Sequence, residues 1–212
     1  MTRLILTILA IVSASIHIWG EYKGPDSLVY IFKPLTMVFI ITIALLAKDP
    51  PGKKYKFAII AGLLFSMAGD IFLMLPVDLF IAGLVSFLVA QLIYTYAFRS
   101  GRSFRLKFIA ILPFAIYGMI IFVILLPGLN GMMVPVAAYI LVILVMAWQA
   151  WDQWDDVRGR WALLAFIGAV LFVLSDTFLA LNKFGEPFLA ARGLTLITYF
   201  SAQWLISNSN YT

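Results

Sequence analysis

The stretch GLLFSMAGDIFLML (Gly62–Leu75) is an apolar segment that carries a single acidic residue, Asp70. A second stretch, GAVLFVLSDTFLAL (Gly168–Leu181), repeats this pattern around Asp176. In both stretches a glycine stands eight residues before the aspartate, and Phe-Leu begins two residues after it. A carboxylate at membrane depth is costly, so its default interpretation is functional. Because the two positions match, we predict one site shared between two halves of the chain.

The composition of the chain indicates the class of protein around these stretches. Of its 212 residues, 64% are hydrophobic and 12% are charged, and the mean hydropathy is +1.03. Soluble domains have about 45–50% apolar and about 25% charged residues. Apolar runs close to the ~20 residues that cross a bilayer recur along the sequence. We therefore predict an all-α polytopic membrane protein, folded as a single transmembrane domain over residues 1–212.

Loop-forming Gly, Pro and Asp residues divide the apolar sequence into eight predicted transmembrane helices. The segment after the sixth, with Asp152, Asp155 and Asp156, is interpreted as a solvated loop. The first helix also has features of a signal peptide, with Arg3 ahead of a short apolar run, and this alternative stays open. The predicted helices are Leu4–Trp19, Leu28–Ala47, Phe57–Leu75, Leu79–Phe98, Leu106–Leu126, Met132–Ala150, Trp161–Leu181 and Phe188–Ser207.

The basic residues sort by side of the membrane, which predicts the orientation of the chain. The predicted non-cytoplasmic side has only four basic residues: Lys23, Lys33, Lys183 and Arg192. Both termini are therefore predicted to be cytoplasmic, and a bacterial inner membrane is the expected location. The same distribution explains the net charge of +5, so no nucleic-acid partner is expected. The cytoplasmic side is assigned Arg3, Lys48, Lys53, Lys54, Lys56, Arg99, Arg102, Arg105, Lys107, Arg158 and Arg160.

The similarity between the halves extends beyond the aspartates. Helix 4 carries FLVAQLI (Phe87–Ile93) and helix 8 carries YFSAQWLI (Tyr199–Ile206), which share an aromatic residue followed after two residues by Ala-Gln. We predict a four-plus-four internal repeat with halves of about 1–104 and 105–212. Since each half has an even number of spans, both halves have the same orientation in the membrane. They are then related by an axis along the membrane normal. Chance similarity among Leu- and Phe-rich helices is the alternative.

Three ionisable residues are predicted at one depth. With cytoplasmic termini, helices 3 and 7 run outward and helix 2 runs inward. Asp70, Asp176 and Lys33 then lie roughly 6 Å to the outer side of the midplane. This coincidence predicts a single polar cavity nearer the non-cytoplasmic side. The alternative is a buried Lys-Asp pair that only joins helices, although such pairs stabilise weakly.

Two glutamines and a tyrosine complete the predicted site. Gln91 and Gln203 can each donate and accept hydrogen bonds, so they suit the orientation of a substrate, a carboxyl group or a water. Tyr94 lies close to the same face of helix 4 as Gln91. We assign Gln91, Tyr94 and Gln203 together with Lys33 to substrate binding. A role as hydrogen-bonded connections between helices is equally compatible with the glutamines.

The sequence also restricts the chemistry that these residues can perform. It has no cysteine, which excludes thiolate nucleophiles, and its one histidine, His17, would have to serve any Ser-His dyad. We expect neither a metal nor another cofactor. Two carboxyl groups close together in a low-dielectric cavity cannot both be charged cheaply, so one tends to hold a proton. Glycosidases use an acid beside a carboxylate in this way, through an oxocarbenium-like state.

Six short motifs follow one another along nearly the whole chain: EYKGP (Glu21–Pro25), IFKPLT (Ile31–Thr36), Gly69-Asp70, QLIYTYAF (Gln91–Phe98), GAVLFVLSD (Gly168–Asp176) and YFSAQWLI (Tyr199–Ile206). In this order and spacing they resemble the lysoplasmalogenase (YhhN-like) family of integral membrane proteins. The resemblance implies eight spans and hydrolysis of the vinyl ether bond of lysoplasmalogens. The implied products are a fatty aldehyde and glycerophosphoethanolamine or glycerophosphocholine. It also places Asp70, Lys33 and Asp176 in the polar site of the family.

A mechanism follows as a hypothesis. Asp70 or Asp176 acts as the acid that protonates the carbon beta to the ether oxygen, and the other carboxylate stabilises the oxocarbenium ion and directs water to it. The runner-up function is a proton-coupled transporter of small molecules or lipids, because parallel repeats with membrane-embedded carboxylates are also typical of such carriers. An intramembrane aspartyl protease and a non-catalytic scaffold are further alternatives. The lysophospholipid and the bilayer are the expected partners, and the sequence makes no prediction of oligomeric state.

Overall fold

The computed structural model of the chain describes residues 1–100 and 108–212, and within them all regular structure is helical. Two short 3₁₀ turns, Leu126–Gly128 and Asn130–Met132, connect the fifth and sixth α-helices. The α-helices in chain order are α1 (Thr2–Lys23), α2 (Asp26–Leu45), α3 (Lys53–Met74), α4 (Phe80–Arg99), α5 (Phe108–Leu125), α6 (Met133–Val157), α7 (Arg160–Phe184) and α8 (Ala191–Asn208).

Of the eight predicted transmembrane helices, all eight are present as α-helices in the described residues, and seven of them are long and apolar enough to cross a membrane. The helix outside these seven is α8, whose 18 residues carry a row of polar side chains. Three of these bond to other helices: Ser207 donates to the carbonyl of Ile40 at 2.7 Å, while Tyr199 and Gln203 bond to α3 and α4. The polar side chains that lower the hydropathy of α8 therefore lie inside the bundle.

The predicted loop after the sixth helix is wrong, because α6 continues to Val157. Asp152 lies on the packed side of this extension and is 4% exposed. The helix ends at Arg158, whose φ of 52° places it in the left-handed region. The predicted start of helix 5 at Leu106, the boundary of the halves at 104/105, and Arg102, Arg105 and Lys107 lie outside the described residues.

The close contacts of α3 with α4 and of α7 with α8 depend on glycines. Helix α3 packs most extensively against α4, and α7 against α8. At Gly62 an added Cβ would overlap the ring of Tyr94, and at Gly168 it would lie 2.7 Å from Cγ1 of Ile206. Because a side chain at either glycine would collide with the neighbouring helix, these residues allow the close approach of backbones that helix packing in membranes uses.

The two ends of the bundle differ in what they bring together. Both termini lie at one end, where the amide of Thr212 donates to the carbonyl of Asp49 at 3.3 Å and Nε of Arg3 donates to Asn208 at 2.6 Å. We call this the terminal end. The opposite end, which we call the site end, holds the last turns of α1, α3 and α7 and the first turns of α2 and α8. Both predicted catalytic aspartates lie in the half of their helix nearer the site end.

Candidate active site

Asp70 lies in a sealed polar pocket formed by three helices. It stands four residues before the end of α3 and is 2% exposed. Nζ of Lys33, from α2, lies 3.3 Å from its Oδ1. Oη of Tyr199, from α8, donates a hydrogen bond to its Oδ2 at 2.6 Å. Each carboxylate oxygen of Asp70 is thus held by a different helix, and the predicted proximity of Lys33 and Asp70 is observed.

The glycine before Asp70 explains how the surroundings of this carboxylate form. A Cβ at Gly69 would lie 2.7 Å from Cε2 of Phe87, so only glycine allows α4 to come this close. Phe87 in turn packs edge-on against Tyr199, with ring centroids 5.9 Å apart. The small residue thereby positions the aromatic ring that supports the tyrosine bound to Asp70.

Asp176 has equivalent connections but is more open. Oη of Tyr139, from α6, donates to its Oδ2 at 2.5 Å. Nε2 of Gln91, from α4, lies 3.3 Å from the same oxygen. No ion pair of Asp176 is found in residues 1–100 and 108–212, and the side chain is partly exposed to a cavity. Each aspartate therefore contacts two other helices, α2 and α8 for Asp70 and α6 and α4 for Asp176.

The tyrosine bound to Asp70 belongs to a cluster of three aromatic rings. The rings of Phe87, Phe172 and Tyr199 pack edge-on in a triangle, with centroids 5.8 to 6.0 Å apart. Phe172 stands one helical turn before Asp176 on α7, so the ring cluster connects the surroundings of the two aspartates.

Asp176 lines a cavity whose wall is otherwise almost entirely apolar and which is partly open to the surroundings. We call it the apolar cavity. Its wall comes from α3 to α7, and Asp176 is the one charged side chain among the described residues that line it. On α7 the lining extends from Val173 to Phe184, which corresponds to roughly 16 Å at 1.5 Å per residue. Further lining residues are Phe80, Phe87, Tyr117, Leu125, Tyr139 and Leu144.

A second cavity, with about 1040 Å³ of space between atoms, lies at the site end between α1, α2, α3, α7 and α8. We call it the polar cavity. Lys33 lines its wall, and so do Glu21, Asp26, Asn182 and Arg192. Leu73 and Leu179 line both cavities, so the two are neighbours that share a wall. The sequence predicts one polar cavity, whereas the structure divides it in two because these leucine side chains occupy its middle.

Tyr94 and Gln203 lie apart from the cavities. Both are fully buried, and Oη of Tyr94 donates to Oε1 of Gln203 at 2.8 Å. Neither side chain lines the apolar or the polar cavity. The predicted residues therefore form three pairs, Lys33 with Asp70, Gln91 with Asp176, and Tyr94 with Gln203. Their assignment to catalysis and substrate binding stays a prediction.

Two residues of the site are not among those predicted from the sequence, namely Tyr139 and Tyr199. Both hydroxyl groups bond directly to an aspartate. A signal existed, because a tyrosine within an apolar helix needs a partner for its hydroxyl group. Tyr199 is also one helical turn before Gln203, on the same face of α8. No group of three His, Cys, Asp or Glu side chains that could hold a metal ion occurs in the described part of the chain.

The family of the chain is established by comparison with known proteins. The model of the YhhN family matches residues 28–210. This chain belongs to the YhhN family. The matched residues include both aspartates, both tyrosines bound to them, and all of α2 except its first two residues.

The names of several relatives of this chain describe them as a membrane protein or as an enzyme. The uncharacterized membrane protein YhhN of an Escherichia coli O6:H1 strain is 28% identical over 199 residues, which are 94% of this chain and 95% of that protein. Lysoplasmalogenase TMEM86A of Bos taurus is 34% identical over 156 residues, or 71% of this chain and 64% of that protein. Lysoplasmalogenase TMEM86B of Sus scrofa is 34% identical over 176 residues, or 81% and 71%. No solved structure matches the chain.

Proposed function

We propose that this protein hydrolyses the vinyl ether bond of lysoplasmalogens, releasing a fatty aldehyde and a glycerophosphoethanolamine or glycerophosphocholine. The observation that carries the proposal is the position of Asp176, an acid on the wall of an apolar cavity that adjoins a polar one. A single-chain lipid has this arrangement of parts, with an apolar tail, a reactive ether and a charged head group. Relatives named lysoplasmalogenases support the same substrate class.

The two aspartates receive different roles from their contacts. Asp70 forms an ion pair with Lys33, so we assign it as the charged carboxylate. Asp176 contacts Tyr139 and Gln91 but no cation among the described residues, and it faces the cavity, so we assign it as the acid. Within this assignment Lys33 supports Asp70, and Gln91 orients the carboxyl group of Asp176 toward the lipid.

The chemical steps balance without a metal or cofactor. Asp176 gives its proton to the carbon beta to the ether oxygen, the carbon–carbon double bond is consumed, and the positive charge is shared by the other vinyl carbon and the oxygen. Asp70 stabilises this oxocarbenium ion across the low-dielectric interior. Water adds to the charged carbon and returns a proton to Asp176. The resulting hemiacetal breaks its carbon–oxygen bond, which yields the aldehyde and the glycerol hydroxyl group.

The internal repeat and the orientation are also part of the proposal. The cross-half contacts of Asp70 with α8 and of Asp176 with α4 support two parallel halves related by an axis along the membrane normal. The equivalent contacts of Gly62 with Tyr94 and of Gly168 with Ile206 support it as well. The excess of Lys and Arg at the terminal end supports cytoplasmic termini in a bacterial inner membrane. Both cavities then lie nearer the non-cytoplasmic side.

The test is aldehyde release by the detergent-purified protein from a lysoplasmalogen, with an ester-linked lysolipid as a second substrate. We expect aldehyde from the first and no fatty acid from the second. Asp70→Asn and Asp176→Asn should each lower the rate at least ~100-fold, which is typical of lost acid–base catalysis. The matched control is Asp49→Asn, an exposed aspartate at the terminal end that should leave the rate unchanged.

The same preparation separates this proposal from the runner-up function. If no aldehyde forms, and vesicles that contain the protein instead show proton-dependent uptake of lysolipid, the hydrolase proposal is wrong. Retention of full activity in Asp176→Asn would refute the assignment of this residue as the acid.

A further inference from the structure

The polar cavity has a balanced set of charges, of which the proposed chemistry uses only Lys33, through its contact with Asp70. Two acids, Glu21 and Asp26, and two bases, Lys33 and Arg192, line it. They come from α1, α2 and α8, which meet at the site end. A cavity of this kind lacks a net charge of its own, so it suits a ligand that carries one negative and one positive group rather than a simple anion.

The contacts among these side chains show which of them are available to a ligand. Nη1 of Arg192 lies 3.5 Å from Oε2 of Glu21, and both groups are at the solvent-accessible rim. Asp26 is exposed in the first turn of α2, and in the described part of the chain its carboxylate has neither a hydrogen bond nor an ion pair. The carboxylate of Asp26 is therefore free to bind a cation, and Arg192 can exchange part of its contact with Glu21 for an anion.

The depth of the charges along α2 gives the ligand a direction. Lys33 is seven residues further into the helix than Asp26, which is roughly 10 Å along its axis. Lys33 lines the polar cavity together with Leu73 and Leu179, which also line the apolar cavity. Lys33 therefore lies at depth, whereas Asp26, Glu21 and Arg192 lie at the mouth.

We infer that the polar cavity is a head-group subsite for a zwitterionic phospho-amine, in which Lys33 and Arg192 bind the phosphate and Asp26 and Glu21 bind the ammonium group. In a lysolipid whose ether lies at Asp176, the glycerol, the phosphate and the amine follow in this order away from the reacting bond. The inference rests on the proposed function for the direction of the lipid, and it adds the residues that select the head group.

The experiment measures binding of lysolipids that cannot be cleaved, so that it does not depend on catalysis. The probes are two saturated 1-O-alkyl lysolipids with the same chain, one with phosphoethanolamine and one with phosphate alone as head group. Binding to the full-length protein in detergent is followed by tryptophan fluorescence. The wild-type protein should bind the phosphoethanolamine lipid more tightly, by about threefold to tenfold, as expected for charge-assisted contacts at an accessible site.

Two variants separate the amine from the phosphate. Asp26→Asn should remove the preference for the amine and leave the affinity for the phosphate lipid unchanged. Arg192→Gln should weaken the binding of both lipids by a similar factor of about threefold to tenfold. The matched control is Lys23→Gln, because Lys23 is an exposed base at the same end that does not line the polar cavity. Since Asp26 and Arg192 are both exposed at the helix ends, their variants should elute and melt like the wild type.

Two results would overturn the inference. One is equal binding of both lipids by the wild-type protein, and the other is an Asp26→Asn variant that keeps the preference. Failure of the proposed function looks different: the preference for the amine and its loss in Asp26→Asn would be present, but the vinyl ether lipid would release no aldehyde.

Discussion

The surroundings of Asp70 and Asp176 form a natural comparison within one molecule. Both aspartates accept a hydrogen bond of 2.5 to 2.6 Å from a tyrosine. Asp70 adds an ion pair and is sealed from the cavities, whereas Asp176 adds an amide contact of 3.3 Å and faces an open apolar space. The same local sequence pattern therefore occurs in two environments, one with an ion pair and closed to the cavities, and one without an ion pair among the described residues and open to a cavity.

The difference between the two surroundings originates in the partners of the aspartates. The aspartates and their flanking residues are alike, but their partners differ in type. Helix α2 supplies Lys33 to Asp70, and α6 supplies Tyr139 to Asp176. A cation fixes a neighbouring carboxylate as a charge, while a hydroxyl group leaves the proton free to move. We propose that this difference in partners gives the two similar acids different roles.

The largest effect should follow from removal of the cation at the sealed site. Lys33→Met leaves the carboxylate of Asp70 buried without its ion pair, and breaking such a pair costs about 3–5 kcal/mol. Thermal unfolding in detergent should show this loss of stability, together with loss of aldehyde release. The double variant Lys33→Met/Asp70→Asn should recover much of the stability but none of the activity. Unfolding of Lys33→Met at the wild-type temperature would contradict the fixed-charge role.

The second effect concerns the two tyrosines and should differ in kind between them. Tyr139→Phe removes the hydrogen-bond donor to Asp176. We expect kcat to fall about tenfold to hundredfold, where each factor of ten corresponds to ~1.4 kcal/mol, with little change in stability. Tyr199→Phe removes a donor to a buried charged group, which should lower the free energy of unfolding by about 1.5–3 kcal/mol.

Steady-state kinetics and thermal unfolding of both variants measure this contrast. Tyr22→Phe, which changes a hydroxyl group in an exposed contact with the carbonyl of Leu189, is the matched control and should be close to wild type. If both site variants lose stability equally and neither changes kcat, the two aspartates do not have the different roles that we assign.

The sequence is sufficient to predict the parts of this site that follow from the depth of a residue in the membrane and from the rarity of polar residues in apolar helices. The eight helices follow from apolar runs and their breaks, and the pairing of Lys33 with Asp70 follows from counting residues along two antiparallel helices. Gln91 was found because an amide is rare in such a helix, and it does contact Asp176. These inferences need only the helical rise and the cost of polar groups in lipid.

Other features depend on packing that periodicity does not encode. A tyrosine in an apolar helix needs a partner for its hydroxyl group, but the sequence does not say which partner Tyr139 or Tyr199 has. The division of one predicted cavity into two depends on the side chains of Leu73 and Leu179, which look like any other leucines in an apolar run. The extension of α6 was missed because Asp152 is polar in sequence but buried in the fold.

The smallest effect should come from the two glutamines, and it tests the sequence-based assignment most directly. Gln203→Leu leaves the hydroxyl group of Tyr94 without its acceptor, which should lower the free energy of unfolding by about 1–2 kcal/mol and change kcat/KM less than about twofold. Gln91→Leu removes a long contact to Asp176 and should lower kcat/KM about threefold. The double variant Gln203→Leu/Tyr94→Phe should recover stability, because no buried donor is then left unpaired.

These glutamine variants separate a residue that holds helices together from one that meets the lipid. Kinetics with a lysoplasmalogen and thermal unfolding are compared for the same four proteins, including the wild type. A loss of kcat/KM in Gln203→Leu as large as that in Gln91→Leu would favour substrate contact by Gln203, as the sequence predicts. A loss confined to Gln91→Leu would instead mean that the repeat supplies two equivalent amides, of which only the one beside the open carboxyl group takes part in the reaction.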